Sequence, residues 1–143
     1  MNTSVKSATI SAKVVSASRR LAFLPKHFAK LHPAVEAGIY DVARTVDPEY
    51  RGGYWEFVEL SNGGGYLQLA TERPIRVVVN TNGYAGTMSA DAASIVVNLL
   101  ALSELSFIWQ GHRDSDRVID TFYALREYAS CHAEAAAIFA AID

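Results

Sequence analysis

The segment ADAASIVVNLLALSELSFIW, residues 90–109, constrains this chain more than any other. Its polar positions fall mainly at Asp91, Ser94 and Asn98, three and four residues apart, and nearly everything else in it is apolar. Such a helix has to be buried on most sides. Ser89 supplies an N-cap, and Asp91 sits in the first turn, where the helix dipole favours negative charge. The helix is therefore expected at the centre of the core.

The remaining elements arrange themselves around it. Residues 1–12 read as a flexible N-terminal lead-in, and residues 13–143 as a single domain. SASRRLAFLPKHFAKLHP mixes apolar and basic residues. Pro25 disfavours helix at Leu24, so a short helix is expected to end near Phe23, with one further turn around Lys26–Lys30. Pro33 suits a first helical position, and Val35, Ile39, Val42 and Val46 mark one face of a helix ending before Pro48. YWEFVEL, YLQLA and IRVVVN are strand-like runs rich in aromatic and β-branched residues, joined by about four or five residues each. A last helix from Asp114 or Ser115 runs toward Ile142, with Val118, Phe122, Leu125, Ala129 and Ala136 inward and a kink expected near Ser130. The order predicts an α+β fold: a three-stranded antiparallel β-meander packed with N-terminal helices and two long C-terminal helices.

Five of the nine glycines lie in RGGYWEFVELSNGGGYLQL, residues 51–69. A phosphate loop needs a strand before it and a helix after it. Here SNGGG lies between two strand-like runs with no lysine following. Asn62-Gly63 is instead a hairpin signal, because the tightest hairpin turns need positive φ at both central residues.

Most catalytic chemistry is excluded by spacing. His27, His32, His112 and His132 are scattered, and the single cysteine, Cys131, begins neither a zinc site nor a disulfide. Cys131 and His132 are adjacent on a helix and point about 100° apart. Glu56 and Glu59 are three apart on a strand and so face opposite ways. Asp114, Asp116 and Asp120 gather at a helix start. The chain is thus expected to be no enzyme and to need no cofactor or metal. No apolar run approaches the roughly 20 residues of a membrane span, and no secretory signal is visible, so a cytoplasmic location is expected.

Charge is unevenly spread. Residues 1–44 hold seven Lys/Arg against two acidic residues, and residues 45–143 hold six against thirteen. The basic third is either a partner-binding arm or the complement of the acidic body. Arg19, Arg20, Lys26 and Lys30 interleave with Phe23 and Phe28, a pattern also seen on nucleic-acid-binding surfaces, although both phenylalanines also suit a core. DNA mimicry is excluded, since a duplex carries one charge per roughly 1.7 Å and this chain has a formal net charge of −2 with thirteen basic residues.

RRLAFLPKHF (19–28), YRGGYWEFVELSNGGGYL (50–67), GYAGTMSADAASIVVNLLAL (83–102) and the tail HAEAAAIFAAID together resemble the ArdB/KlcA antirestriction family of plasmids and other mobile elements. The likeness covers about residues 15–143; it departs at Gly65, where the family often has an aromatic. It implies a small cytoplasmic protein that protects incoming DNA from type I restriction–modification systems, with a compact α+β fold, no enzymatic activity and no cofactor. The expected partner is the restriction complex or a host factor needed for restriction, with direct DNA binding as the rival reading. The candidate contact residues are Arg19, Arg20, Lys26, His27, Trp55, Glu56, Glu59, Asn62 and Asp143. For Trp55 the simpler reading is a core residue on the inner face of the sheet.

Overall fold

The computed structural model describes residues 9–143. Of the lead-in, residues 1–8 lie outside the described residues, and Ala12 already belongs to a strand. In chain order the elements are β1 (Ala12–Val14), α1 (Arg20–Phe28), α2 (His32–Val46), β2 (Trp55–Leu60), β3 (Gly65–Leu69), β4 (Ile75–Val79), β5 (Tyr84–Met88), α3 (Ala90–Ile108), α4 (Ser115–Ser130) and α5 (Ala135–Ile142). The class is α+β, as the sequence predicts. One hydrophobic cluster runs through it, from Phe23 in α1 to Ala141 in α5.

α3 is the central helix. Ser89 caps it, its Oγ accepting from the Ala92 N–H at 3.1 Å, and twelve of its residues are buried. By length and a mean hydropathy of 1.5 it would suit a membrane span, against the expectation above; here it lies mostly buried in the protein core. Two of its polar residues, Ser94 and Asn98, are buried too, and they face β3. Asn98 accepts from the Leu67 N–H at 3.0 Å and donates to the Leu67 carbonyl at 2.8 Å. Ser94 Oγ accepts from the Leu69 N–H at 2.9 Å. One helix face thus satisfies the backbone groups that β3 turns away from β2.

That contact explains where the strand pairing departs from the expected meander. β3 cannot pair with β4, because Asn98 and Ser94 occupy its outer edge. The three-stranded sheet is completed from the other side by β1, in the order β1-β2-β3, all antiparallel. β4 instead pairs with β5 as a separate hairpin. Asn82-Gly83 is its turn: Gly83 has φ +78° and its N–H donates to the Val79 carbonyl at 2.9 Å. β5 is hidden in the sequence by Gly86, over which the Tyr84 ring folds, leaving no room for a Cβ.

Three other expectations change. α1 continues through Pro25 to Phe28. The one carbonyl that Pro25 cannot serve belongs to Leu21, which is 94% exposed and open to water. The β2–β3 turn is a hairpin, but with a three-residue loop: the Gly63 N–H donates to the Leu60 carbonyl at 3.1 Å, and the Leu60 N–H to the Gly64 carbonyl at 2.9 Å. Within this turn Asn62 does not have positive φ, whereas Gly63 does, at +93°. The last helix is broken outright between Ser130 and Ala135, just past the expected kink. The break turns Ala136 outward and buries Ile138 and Ala141 instead.

The break is held by a network on Asp91. Its carboxylate accepts from the Tyr66 hydroxyl at 2.6 Å, Gln68 Nε2 at 2.7 Å and His132 Nε2 at 2.8 Å. His132 Nδ1 accepts from the Glu134 N–H at 2.9 Å, which leaves Nε2 to donate to Asp91. Glu134 in turn accepts from the Ser89 N–H and hydroxyl. Burial and the Asp91 carboxylate push the Tyr66 hydroxyl well above the usual tyrosine range.

Replacing Asn98 by Ala leaves the Leu67 N–H and carbonyl buried and unpaired. At about 1–3 kcal/mol for each such group, the variant is expected to lose about 3 kcal/mol in urea denaturation. A loss below about 1 kcal/mol would show that the β3 edge does not depend on this side chain.

Candidate functional site

α1 presents Arg20, Phe23, Leu24 and His27 on one face, at the spacing that aligns side chains along a helix. That face lies on β2. The Phe23 ring stacks on Phe57 with centroids 5.0 Å apart, and His27 packs against Phe23 at 4.6 Å. Gly65 makes this closeness possible, since a Cβ there would meet Phe23 and the Val58 carbonyl at 2.9 Å and His27 at 3.0 Å.

The polar ends of the same residues form a charged row. The Arg20 guanidinium lies 4.2 Å from the Phe57 ring centroid and 4.8 Å from that of Tyr54. Its Nη2 donates to the Trp55 carbonyl at 3.0 Å, a group β2 leaves unpaired beyond the end of β1, and its Nη1 lies 3.7 Å from Glu56. Glu59 accepts from Lys26 at 3.2 Å and pairs with His27 at 3.0 Å. Lys13 on β1 is the cross-strand neighbour of Glu59. Between β1 and α1 runs an open groove of about 340 Å³, lined by Lys13, Ser16, Arg19, Phe23, Lys26 and Glu59 among others.

Five of the candidate residues, Arg19, Arg20, Lys26, His27 and Glu59, therefore lie along one face between α1 and the sheet; Glu56, opposite Gln68 on the other face of the sheet, is reached from it by Arg20. Trp55 is in the core beneath it: its indole N–H donates to the Tyr50 hydroxyl at 3.1 Å and its ring packs on Tyr40. Asn62 ties the hairpin tip to α4, donating to the Ala124 carbonyl at 2.9 Å and to Glu127 at 3.1 Å. Asp143 is exposed at the end of α5, and its N–H donates to the Phe139 carbonyl. Lys13 and Tyr54 were not singled out from sequence. The signal for Lys13 was weak, because β1 has only three residues.

His27 is buried. Desolvation lowers its pKa below the ordinary 6.5, against the opposing pull of Glu59. Phe23 and Phe28, each 2% exposed, belong to the core and offer no stacking surface to a nucleic acid base. Among the described residues no group of His, Cys, Asp and Glu is placed to hold a metal ion.

Residues 48–143 match the family model described as antirestriction protein. The chain is 40% identical over 142 residues to the antirestriction protein KlcA of Escherichia coli, with 97% of each chain covered. A second Escherichia coli KlcA is 40% identical over 135 residues, covering 94% of this chain and 95% of that one. A solved structure of the KlcA and ArdB proteins is similar with a TM-score of 0.87 at 39% identity, and the match covers 100% of both chains. Those proteins are described as having a novel fold and antirestriction activity against type I DNA restriction systems in vivo but not in vitro.

Two outcomes follow from the geometry. The lowered pKa of His27 means that the unfolded chain binds its proton more readily than the folded one. Its contribution to stability is complete above pH 6.5 and is lost as pH falls toward the lower folded value. His27→Gln is expected to flatten the stability–pH curve on the acid side of neutrality; a curve parallel to that of the unsubstituted protein would contradict the assignment. Asp143 opposes the helix dipole at an exposed end, at a cost of a few tenths of a kcal/mol. Asp143→Asn is expected to leave Tm nearly unchanged, and a clear fall would reveal a folded-state partner for the carboxylate.

Proposed function

The chain belongs to the antirestriction protein family, and on that premise we propose that it protects incoming plasmid or mobile-element DNA from type I restriction–modification. It acts in the cytoplasm by contact with a protein, without catalysis, cofactor or mimicry of DNA. The observation that carries this reading is the full-length likeness to the KlcA and ArdB proteins, active in vivo but not in vitro. Activity confined to the cell points to a component missing from the purified system. A host factor needed for restriction is therefore the favoured partner, ahead of the restriction enzyme itself.

The face between α1 and the sheet is the surface proposed for that contact, with Arg19, Arg20, Lys26, His27 and Glu59 along it and Glu56 at its rim, paired with Arg20. Trp55 and Asn62 support it from the core and the hairpin tip. The cations of the groove favour a second reading, a nucleic-acid-binding accessory protein. Burial of Phe23 and Phe28 weighs against it, because single-strand binding leans on exposed stacking rings.

The test is the plating of unmodified phage on cells with an active type I system, with and without this protein. Plating is expected to rise toward that of modified phage when the protein is expressed, while purified restriction enzyme stays active in its presence. Equal plating in both strains would refute the proposal. Protection that survives Asp143→Asn would remove Asp143 from the functional surface. DNA binding that weakens steeply with salt would favour the second reading.

A further inference from the structure

We propose that the outer edge of β1 is a docking strand for an extended acidic segment of the partner protein. The inference rests on the reading of the α1–sheet face as the contact surface, and it names the chemistry that would be held there. Two independent features of that face converge on it.

The first is an open backbone edge. The Val15 N–H donates to the Phe57 carbonyl, and the Ser61 N–H to the Ser11 carbonyl. With Lys13 opposite Glu59 in register, residues 11, 13 and 15 turn their backbone groups toward β2. By the alternation of an antiparallel ladder, Ala12 and Val14 turn theirs outward. All three residues of β1 are exposed, Val14 by 48%, and no described residue pairs with the outward groups. Such an edge is a ready template for an added strand.

The second is charge beside that edge. Lys13, Arg19 and Lys26 line the groove between β1 and α1, with Glu59 as the acidic residue among them. Glu59 is engaged by Lys26 and His27. Among the described residues Lys13 and Arg19 take part in no ion pair. A strand added to β1 would project every second side chain over this groove. Carboxylates at those positions would meet Lys13 and Arg19, and cations would be repelled. The same charge disfavours a second copy of this chain, because antiparallel pairing of two β1 edges about Lys13 sets two lysines opposite each other.

Val14→Pro isolates the backbone feature. It deletes an outward N–H without breaking a bond to β2, and proline is tolerated on edge strands. Lys13→Glu combined with Arg19→Glu isolates the charge. Both variants are expected to keep the unsubstituted Tm, to lose protection in the phage plating assay, and to accumulate normally in cells; Val14→Thr is expected to retain protection. In parallel, the ¹⁵N-labelled full chain is titrated with a short peptide of alternating Glu and Val. The amide signals of Ala12 and Val14 are expected to shift and to become protected from exchange, and a Gln-for-Glu version of the peptide to do so more weakly. Full protection by both variants, or shifts confined to other residues, would overturn the proposal and leave the antirestriction reading intact. Equal response to an oligothymidine would overturn it in favour of a nucleic acid ligand. Should the unsubstituted chain give no protection at all, the antirestriction reading fails, and the titration alone decides whether the edge binds acidic strands.

Discussion

Asn98 and Ser94 stand in for a β-strand. An unpaired strand edge inside a protein leaves donors and acceptors that cost about 1–3 kcal/mol each when buried without partners. Here the edge of β3 is closed by side chains of a helix that would otherwise be apolar on nearly every side. The Asn98 amide matches both the N–H and the carbonyl of Leu67, as a neighbouring strand would. The rest of the architecture follows. With β3 sealed, β4 must find another partner, the sheet grows only toward β1, and α3 is fixed in the centre with α4 and α5 packed against it.

The same face of α3 extends the lock to the C-terminal third. Asp91 gathers Tyr66, Gln68 and His132 around one carboxylate. It thereby joins β3, the start of α3 and the turn between α4 and α5. Glu134 closes the ring onto Ser89, whose hydroxyl hydrogen bonds hold the Glu134 carboxyl below its ordinary range. A helix cap, a strand edge and a helix break are thus one connected polar system at the margin of the apolar core.

Much of this was legible in the sequence, and the illegible part has a common cause. The spacing of Asp91, Ser94 and Asn98 marked one face of the central helix, and Ser89 marked its start. Nothing local said that this face would meet a strand, so the three strand-like runs were joined into one meander. β1 and β5 escaped notice because one has three residues and the other contains Gly86. Pro25 was read as a stop, although an exposed carbonyl at Leu21 makes its presence inside α1 tolerable. Of the candidate site, the meeting of Arg20, Lys26 and His27 with Glu56 and Glu59 was foreshadowed only by opposite charge. Two of the seven basic residues of that third, Arg20 and Lys26, complement the acidic body through these pairs. Lys13 and Arg19, left over from that pairing, lie at the edge where the sheet is open.

The account therefore describes a sheet with one edge sealed by a helix and the other left available. Residue-resolved hydrogen exchange of the full-length protein tests that asymmetry directly. The amides of Leu67 and Leu69 are expected to exchange only with global unfolding, and those of Ala12 and Val14 at nearly the rate of an unstructured chain. Comparable exchange at the two edges, or fast exchange at Leu67, would contradict it.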